Sequence, residues 1–418
     1  MKKLPFALLA FVLVGLSTSP GQVKVGADLL FEKHFGLIDG KRIGLVTNHS
    51  ALLSDGRHLV DVLHADARVK LVALFAPEHG VRGDAPAGAK IQNEVDPRTG
   101  IPVYSLYGAI TKPTDAMLKD VEVLLFDIQD VGVRFYTYLG TLSLAMEAAA
   151  ERKIPYVVLD RPNPIRGTWV EGFNRDDSLR FRVDGSRYQA GWQPIVIAQG
   201  MTVGELANMF NMEGWLEGRV WANLTVIKLE GWKRTMWYDQ TGLKIWVPPS
   251  PNLPTLESCV VYPGTCLFEG VNISEGRGTA RPFEYIGAPF INGDEWAKAL
   301  NEYKLNGVTF EPVEFTPRSI EHVVTNPKYE GQKCGGVFVR VTDREVYEPV
   351  KVAVYMLASV KKLYGDKVKW SQSRINRLSG TPKLSRAIDK GVPPGEIVLL
   401  WNNDVEKFQT IRKKYLMY

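Results

Sequence analysis

Cysteine, clustered histidine and long apolar runs are what this sequence has least of. Its 418 residues hold three cysteines, at positions 259, 266 and 334. No two of them stand at metal-ligand spacing, so a thiolate metal centre is not indicated and buried structural thiols are the expectation. The six histidines are scattered, and without HExxH or a His cluster no metal site is expected. No GxGxxG follows the first strand-like run, so no dinucleotide cofactor is implied, and no other cofactor suggests itself. GxSxG is also missing, and Ser50 and Ser274 have no assignable base, which leaves an esterase or amidase only as a weaker alternative. No basic run is interleaved with aromatics, and 51 Lys and Arg against 46 Asp and Glu leave a net charge of only +5. Nucleic acid is therefore not an expected partner. Internal repeats and low-complexity segments are absent.

What remains is ordinary globular composition, 45% hydrophobic and 23% charged, in a chain long enough for two domains. The first residues, MKKLPFALLAFVLVGLSTSPG, join two lysines, an apolar stretch from Leu4 to Leu16 and a small polar end. They read as a secretory signal over residues 1–22, too short to span a membrane comfortably. No later run reaches spanning length, so an exported protein, periplasmic or secreted and without stable membrane insertion, is expected. Export permits a disulfide; Cys266 and Cys334 are one candidate pair, and the odd count leaves at least one thiol free.

Four apolar, β-branched runs, each ending in a polar cluster, organise the first half. Ile43–Thr47 leads to Asn48 and His49. Val69–Phe75 leads through Pro77 to Glu78, His79, Arg82 and Asp84. VEVLLFD leads to Asp127, Asp130 and Arg134, followed by Tyr136 and Tyr138. IPYVVLD leads to Asp160, Arg161 and Asn163. Helices are expected between them over 56–65, 139–153 and 202–211, the last opening on a TVGE capping box. This alternation predicts an α/β fold, a Rossmann-like, mainly parallel sheet over 24–249 with its site at the carboxyl ends of the strands. WVPPSPNLPT (246–255) carries four prolines in ten residues and can be neither helix nor central strand. It marks the edge of a smaller α+β domain over 250–418, with a strand at GGVFVRVTD and helices over 349–364 and 394–415. A cleft between the two domains is the expected site.

The segment YPGTCLFEGVNISEGRGTARPF (262–283) holds four Gly, two acids, two Arg, three Ser or Thr and an Asn, with almost no apolar period. A stretch so built reads as a binding surface rather than packing. Glu275, Arg277 and Asn272 are its candidate ligand-binding groups.

APEHGVRGD, FDIQDVGVRFYTY, DRPNP, GMTVGELA, WVPPSPNLPT and YPGTCLFEGVNISEGRGTARPFE, in this order from about Val25 to the C-terminal KKYLMY, resemble the bacterial NamZ-type exo-β-N-acetylmuramidases. That resemblance implies a glycoside hydrolase releasing terminal β-1,4-linked N-acetylmuramic acid from peptidoglycan fragments in cell-wall turnover. Such hydrolysis needs a carboxyl acid and a second carboxylate, or the substrate's own acetamido group, opposite it. Glu78 is the expected acid; Asp127 and Glu275 are equal candidates for its partner, and Asp130 follows. Arg82, Arg134 or Arg277 is expected to receive the lactyl carboxylate through paired hydrogen bonds. Asn48, His49, His79, Asp160 and Asn163 are expected at sugar hydroxyls, and Tyr136, Tyr138 or Trp246 under a sugar ring. One departure stands out: the family's Arg-His pair before GMTVGELA is Ala198-Gln199 here. The departure keeps open a non-catalytic glycan-binding protein on the same fold.

Overall fold

In the computed structural model, residues 22–83, 94–181, 187 and 190–418 are described; residues 1–21 of the expected secretory signal and Asp84 lie outside them. The chain opens with α1 (Gly26–Lys33), β1 (Arg42–Thr47), α2 (Leu59–Ala65), β2 (Lys70–Ala76), β3 (Glu94–Val95) and β4 (Pro102–Ser105). It continues through β5 (Val123–Asp127), α3 (Thr137–Glu151), β6 (Tyr156–Leu159), α4 (Val203–Met212) and β7 (Leu224–Ile227). The seven strands form one sheet in the order β3-β4-β2-β1-β5-β6-β7, parallel except for the β3–β4 pair. Buried on both faces, its strands need no polar alternation. Leu124 and Phe126 enter the core under α3 and α4, while Val123 and Leu125 enter the core shared with α1 and α2. The α/β expectation holds.

The chain runs outward from β1 in both directions, so the topological switch point lies between β1 and β5. A ligand crevice is expected there. In this protein the proline-rich segment fills it. His49 Nε2 contacts the Pro248 carbonyl at 2.7 Å, and the Tyr138 hydroxyl donates to the Pro249 carbonyl at 2.6 Å.

The remaining elements are α5 (Leu256–Thr265), β8 (Tyr285–Ala288), α6 (Gly293–Asn301), β9 (Val308–Phe315), β10 (Cys334–Val341), α7 (Pro349–Tyr364), α8 (Gln372–Ser379), α9 (Lys383–Asp389), α10 (Pro394–Leu399) and α11 (Asn402–Arg412). A three-stranded antiparallel sheet, β8-β10-β9, is their centre. The single helix expected over 394–415 is two, interrupted where Trp401 turns into the core and meets Phe173 edge-on at 5.2 Å. All three cysteines are buried and free, so the Cys266–Cys334 pairing is not formed.

One apolar core continues from the large sheet into these helices. α3 is buried continuously from Tyr138 to Ala149, as a helix with apolar residues all round must be. Charges from the first region cap helices of the second. The Glu171 carboxylate accepts from the amides of Val350 (3.1 Å) and Lys351 (2.6 Å) at the N-terminus of α7. At the other polarity, Arg175 donates to the Arg377 carbonyl (2.6 Å) and Arg134 to the Leu378 carbonyl (2.9 Å) at the C-terminus of α8. Each sign suits its helix end. Gly380 follows α8 with φ +87°, and a Cβ there would stand 2.6 Å from the Arg134 guanidinium, so the junction requires glycine.

Candidate active site

A cleft of about 230 Å³ opens between the two regions. Its first wall comes from the turn after β2, the segment after β4 and the start of α3. At that turn His79 takes a left-handed φ of +78°, followed by Gly80 at +78°. Such a conformation costs a non-glycine residue about 1–3 kcal/mol. It turns the chain sharply just after Glu78, which is half-buried and lines the cleft. The Thr137 hydroxyl donates to Glu78 Oε2 at 3.0 Å, and the Tyr107 hydroxyl bonds the same carboxyl. Burial, then the Glu78 charge, pushes the Tyr107 phenol well above its ordinary range. It is therefore a neutral donor at every working pH.

The second wall is built on α5 and the short helical turn 266–270. Tyr262, Cys266 and Glu269 fall at i, i+4 and i+7 on one face and all line the cleft. Glu269 pairs with Arg277 at 2.7 Å and with Arg374 of α8 at 4.0 Å. Burial alone raises the Glu269 carboxyl, but Arg277 and Arg374, and Lys328 after them, outweigh it and hold the group below its usual range. It stays ionised at neutral pH. Arg277 also lies over the Phe283 ring at 5.1 Å. Arg377, on α8, completes this wall.

Of the residues singled out in the sequence, Glu78, His79, Tyr136 and Arg277 line this cleft. The others are held elsewhere. Asp127 is fully buried, with the Arg161 guanidinium donating to it at 2.8 Å. Asp130 is buried as well; its Oδ2 accepts from the Gly132 amide at 2.8 Å and closes a turn. Asp160 accepts from Thr202 (2.7 Å), Tyr418 (2.7 Å) and the Gly204 amide (2.8 Å), which braces the start of α4. Asn48 holds Tyr138 (2.8 Å) and Ser50 (2.6 Å), and Asn163 holds the Met201 carbonyl (3.0 Å). Asn272 bonds the backbone of residues 367 and 369. Glu275 is buried against Lys328 (3.0 Å) and Arg277 (3.4 Å).

The expected carboxylate-binding arginines fare differently. Arg82 is clamped between Asp61 and Asp96, 2.8 Å from each. Arg134 is fully buried, donating to three carbonyls, and burial drives its guanidinium well below the usual range. Trp246 packs edge-on against Tyr238 at 4.8 Å rather than in the cleft. Ala198 and Gln199 are fully buried; Gln199 Oε1 accepts from the Met201 amide at 3.2 Å.

Sequence reasoning missed Tyr107, Thr137, Tyr262, Glu269 and Arg377. For Glu269 a signal existed: the 4–3 spacing from Tyr262 through Cys266 is a helical face, lost when 262–283 is taken as one aperiodic loop.

Comparison with known proteins agrees with this architecture. Residues 43–257 match the N-terminal model of the exo-β-N-acetylmuramidase NamZ, and residues 260–418 match its C-terminal model. Over 398 residues the chain is 45% identical to the peptidoglycan β-N-acetylmuramidase NamZ of Bacillus subtilis (strain 168), covering 95% of this chain and 92% of that protein. Crystal structures of two DUF1343 family proteins from Bacteroides fragilis NCTC 9343 superpose with TM-scores of 0.86 and 0.74, at 35% and 31% identity. Each alignment covers 95% of this chain and 99% of the other. With both models matched across nearly all of its described length, the chain belongs to the exo-β-N-acetylmuramidase NamZ family.

Proposed function

We propose that this glycosidase is exported and removes terminal β-linked N-acetylmuramic acid from peptidoglycan fragments. One observation carries the assignment: two unlike carboxyl groups face one cleft, in a chain of this family. Glu78 stands among hydroxyls, and Glu269 among cations. Glycoside hydrolysis by two carboxyl groups uses such an unlike pair. Glu78 gives its proton to the glycosidic oxygen as the bond to C1 breaks, and Thr137 and Tyr107 then stabilise the carboxylate it becomes. Glu269, kept anionic by Arg277 and Arg374, faces the positive charge growing on the sugar ring. Water supplies the new hydroxyl at C1, and its proton returns to the site. Arg377, on the same wall, is assigned to the lactyl carboxylate that distinguishes N-acetylmuramic acid from N-acetylglucosamine. Asp127 and Glu275 are assigned to holding Arg161 and the 268–277 segment.

The Ala198-Gln199 departure lies in the core, away from the cleft lining, and so gives no support to a binding-only protein. The test is release of 4-nitrophenol from its β-N-acetylmuramic acid glycoside and from the N-acetylglucosamine analogue, for wild type and Glu78→Gln. Turnover of the muramic substrate alone, lost in the variant, is the expected result. A wild type that cleaves neither substrate would overturn the assignment.

A further inference from the structure

Lys328 lies between β9 and β10, far in sequence from the cleft, yet its ammonium enters the segment that builds the cleft's second wall. Nζ lies 2.7 Å from the Phe268 carbonyl, 2.8 Å from Val271, 3.1 Å from Ile273 and 3.0 Å from Glu275 Oε2. The next residue repeats the action: the Tyr329 hydroxyl donates to the Asn272 carbonyl at 2.7 Å. Four carbonyls within six residues thus find donors outside their own segment. Val271, Asn272 and Ile273 follow the helical turn and belong to no strand of either sheet, so their carbonyls need such donors. An ammonium has only three protons to share among the four acceptors, so its charge as well as its hydrogen bonds draws them together. This is how a bound cation organises a loop.

We propose that Lys328 is a positioning residue of the hydrolytic site, an internal cation that moulds residues 268–277 and thereby sets where Glu269 and Arg277 stand in the cleft. The proposal rests on the role given above to Glu269. Two chains of contact transmit the effect. Through the backbone, the Phe268 carbonyl fixes the turn that carries Glu269. Through side chains, Lys328 occupies Glu275 Oε2, leaving Oε1 3.4 Å from Arg277 and the Arg277 Nη2 free to approach Glu269 at 2.7 Å. Without the ammonium, Glu275 would compete for Arg277. The groups that face Glu269 are the cations Arg277, Arg374 and Lys328 and the neutral Tyr107, Tyr262 and Cys266. Lys328 is among the charges that keep the Glu269 carboxyl low. Its removal raises that carboxyl toward the ordinary range, so the acid limb of the rate profile moves to higher pH.

The full chain carrying Lys328→Met, Lys328→Gln or Lys328→Ala is compared with wild type on the 4-nitrophenyl muramic glycoside. Each protein is also followed by thermal melting and by amide exchange over 266–277. The expected result is a kcat lowered about 100-fold, the scale of a displacement of about 1 Å at a reacting group. KM changes little, the acid limb moves up, and exchange is faster in that segment. Propylammonium, the group removed in Lys328→Ala, restores kcat saturably, whereas 1-propanol of the same shape does not. Activity within about threefold of wild type overturns the proposal. So does a loss that leaves the acid limb in place and does not respond to the amine. If all three variants fail to fold even with propylammonium present, Lys328 is a determinant of the fold and the proposal likewise falls. Should wild type itself not turn over, the amide-exchange comparison still decides whether Lys328 moulds the segment.

Discussion

Two crevices lie at the carboxyl ends of the parallel strands, and they differ in room: about 50 Å³ beside Ser50, Gln129 and Arg161 against about 230 Å³ at Glu78. At the switch point between β1 and β5 several polar residues bond one another. Asn48 binds Tyr138, Asp127 binds Arg161, and the proline-rich segment closes the space above them. One strand further out, the turn after β2 carries Glu78 into a cleft whose opposite wall comes from the C-terminal region. The difference shows that a polar cluster after a buried strand identifies a place where side chains converge, not what they converge on. An Arg–Asp pair buried at the first position is a brace, whereas the carboxyl among hydroxyls at the second lines the cleft.

The contrast is broken most sharply by matched amide substitutions. Glu78→Gln, in the open cleft, is expected to lower kcat by about 10²–10⁴-fold, the worth of a general acid, with an unchanged melting temperature. Asp127→Asn, at the sealed crevice, should act the other way round. It leaves the buried Arg161 charge unpaired and costs about 3–5 kcal/mol of stability, while the folded fraction retains wild-type kcat. Denaturant titration alongside active-site-normalised kinetics separates the two; a stable but inactive Asp127→Asn would restore that residue to the chemistry.

A smaller effect tests specificity within the open cleft. Arg377→Met is expected to raise KM for the muramic glycoside about tenfold or more, the value of a hydrogen bond to a charged group, with a lesser change in kcat. Steady-state kinetics at constant ionic strength reads it, and an unchanged KM would move the lactyl carboxylate elsewhere.

The smallest effect concerns protons in the sealed crevice. Burial, opposed by amide bonds from Gly132 and Val131, raises the Asp130 carboxyl from an unfolded value near 3.8 to about 7. A group raised in the folded state stabilises fully below its unfolded value, and that contribution is lost as pH climbs through the folded one. Asp160, raised to about 6 by burial, adds to the same window. Melting temperature should therefore fall between about pH 4 and pH 7, and Asp130→Asn should reduce that fall by about 1–2 °C. Thermal melts across that range would show an unaltered slope if Asp130 were already ionised.

Much of the scaffold was legible in the sequence. The four apolar runs are β1, β2, β5 and β6, because a strand buried on both faces needs no polar alternation and stands out as a solid block. The capping box at Thr202 opens α4 as written. Helix ends were harder: 262–265 complete α5 with Pro263 inside it, since packing against α7 holds a helix that local propensity alone would end. The open cleft was legible only in part. Glu78 follows a strand and is conspicuous, but Tyr107 and Arg377 reach the cleft through tertiary packing and carry no local mark. Arg82 and Arg134 lie elsewhere for a physical reason: a guanidinium that caps a helix or clamps two aspartates looks, in sequence, like one awaiting a ligand.

The caps that join the two regions also bear on how the enzyme can work in time. Glu171 on α7, and Arg134 and Arg175 on α8, are anchored to main-chain atoms rather than to mobile side chains. To swing apart like a jaw, the two halves would have to expose several desolvated charges at once and tear a shared core. Substrate therefore reaches the cleft with the shared core and these caps intact. An architecture of this kind trades the reach of a closing clamp for a site that is already assembled when the sugar arrives.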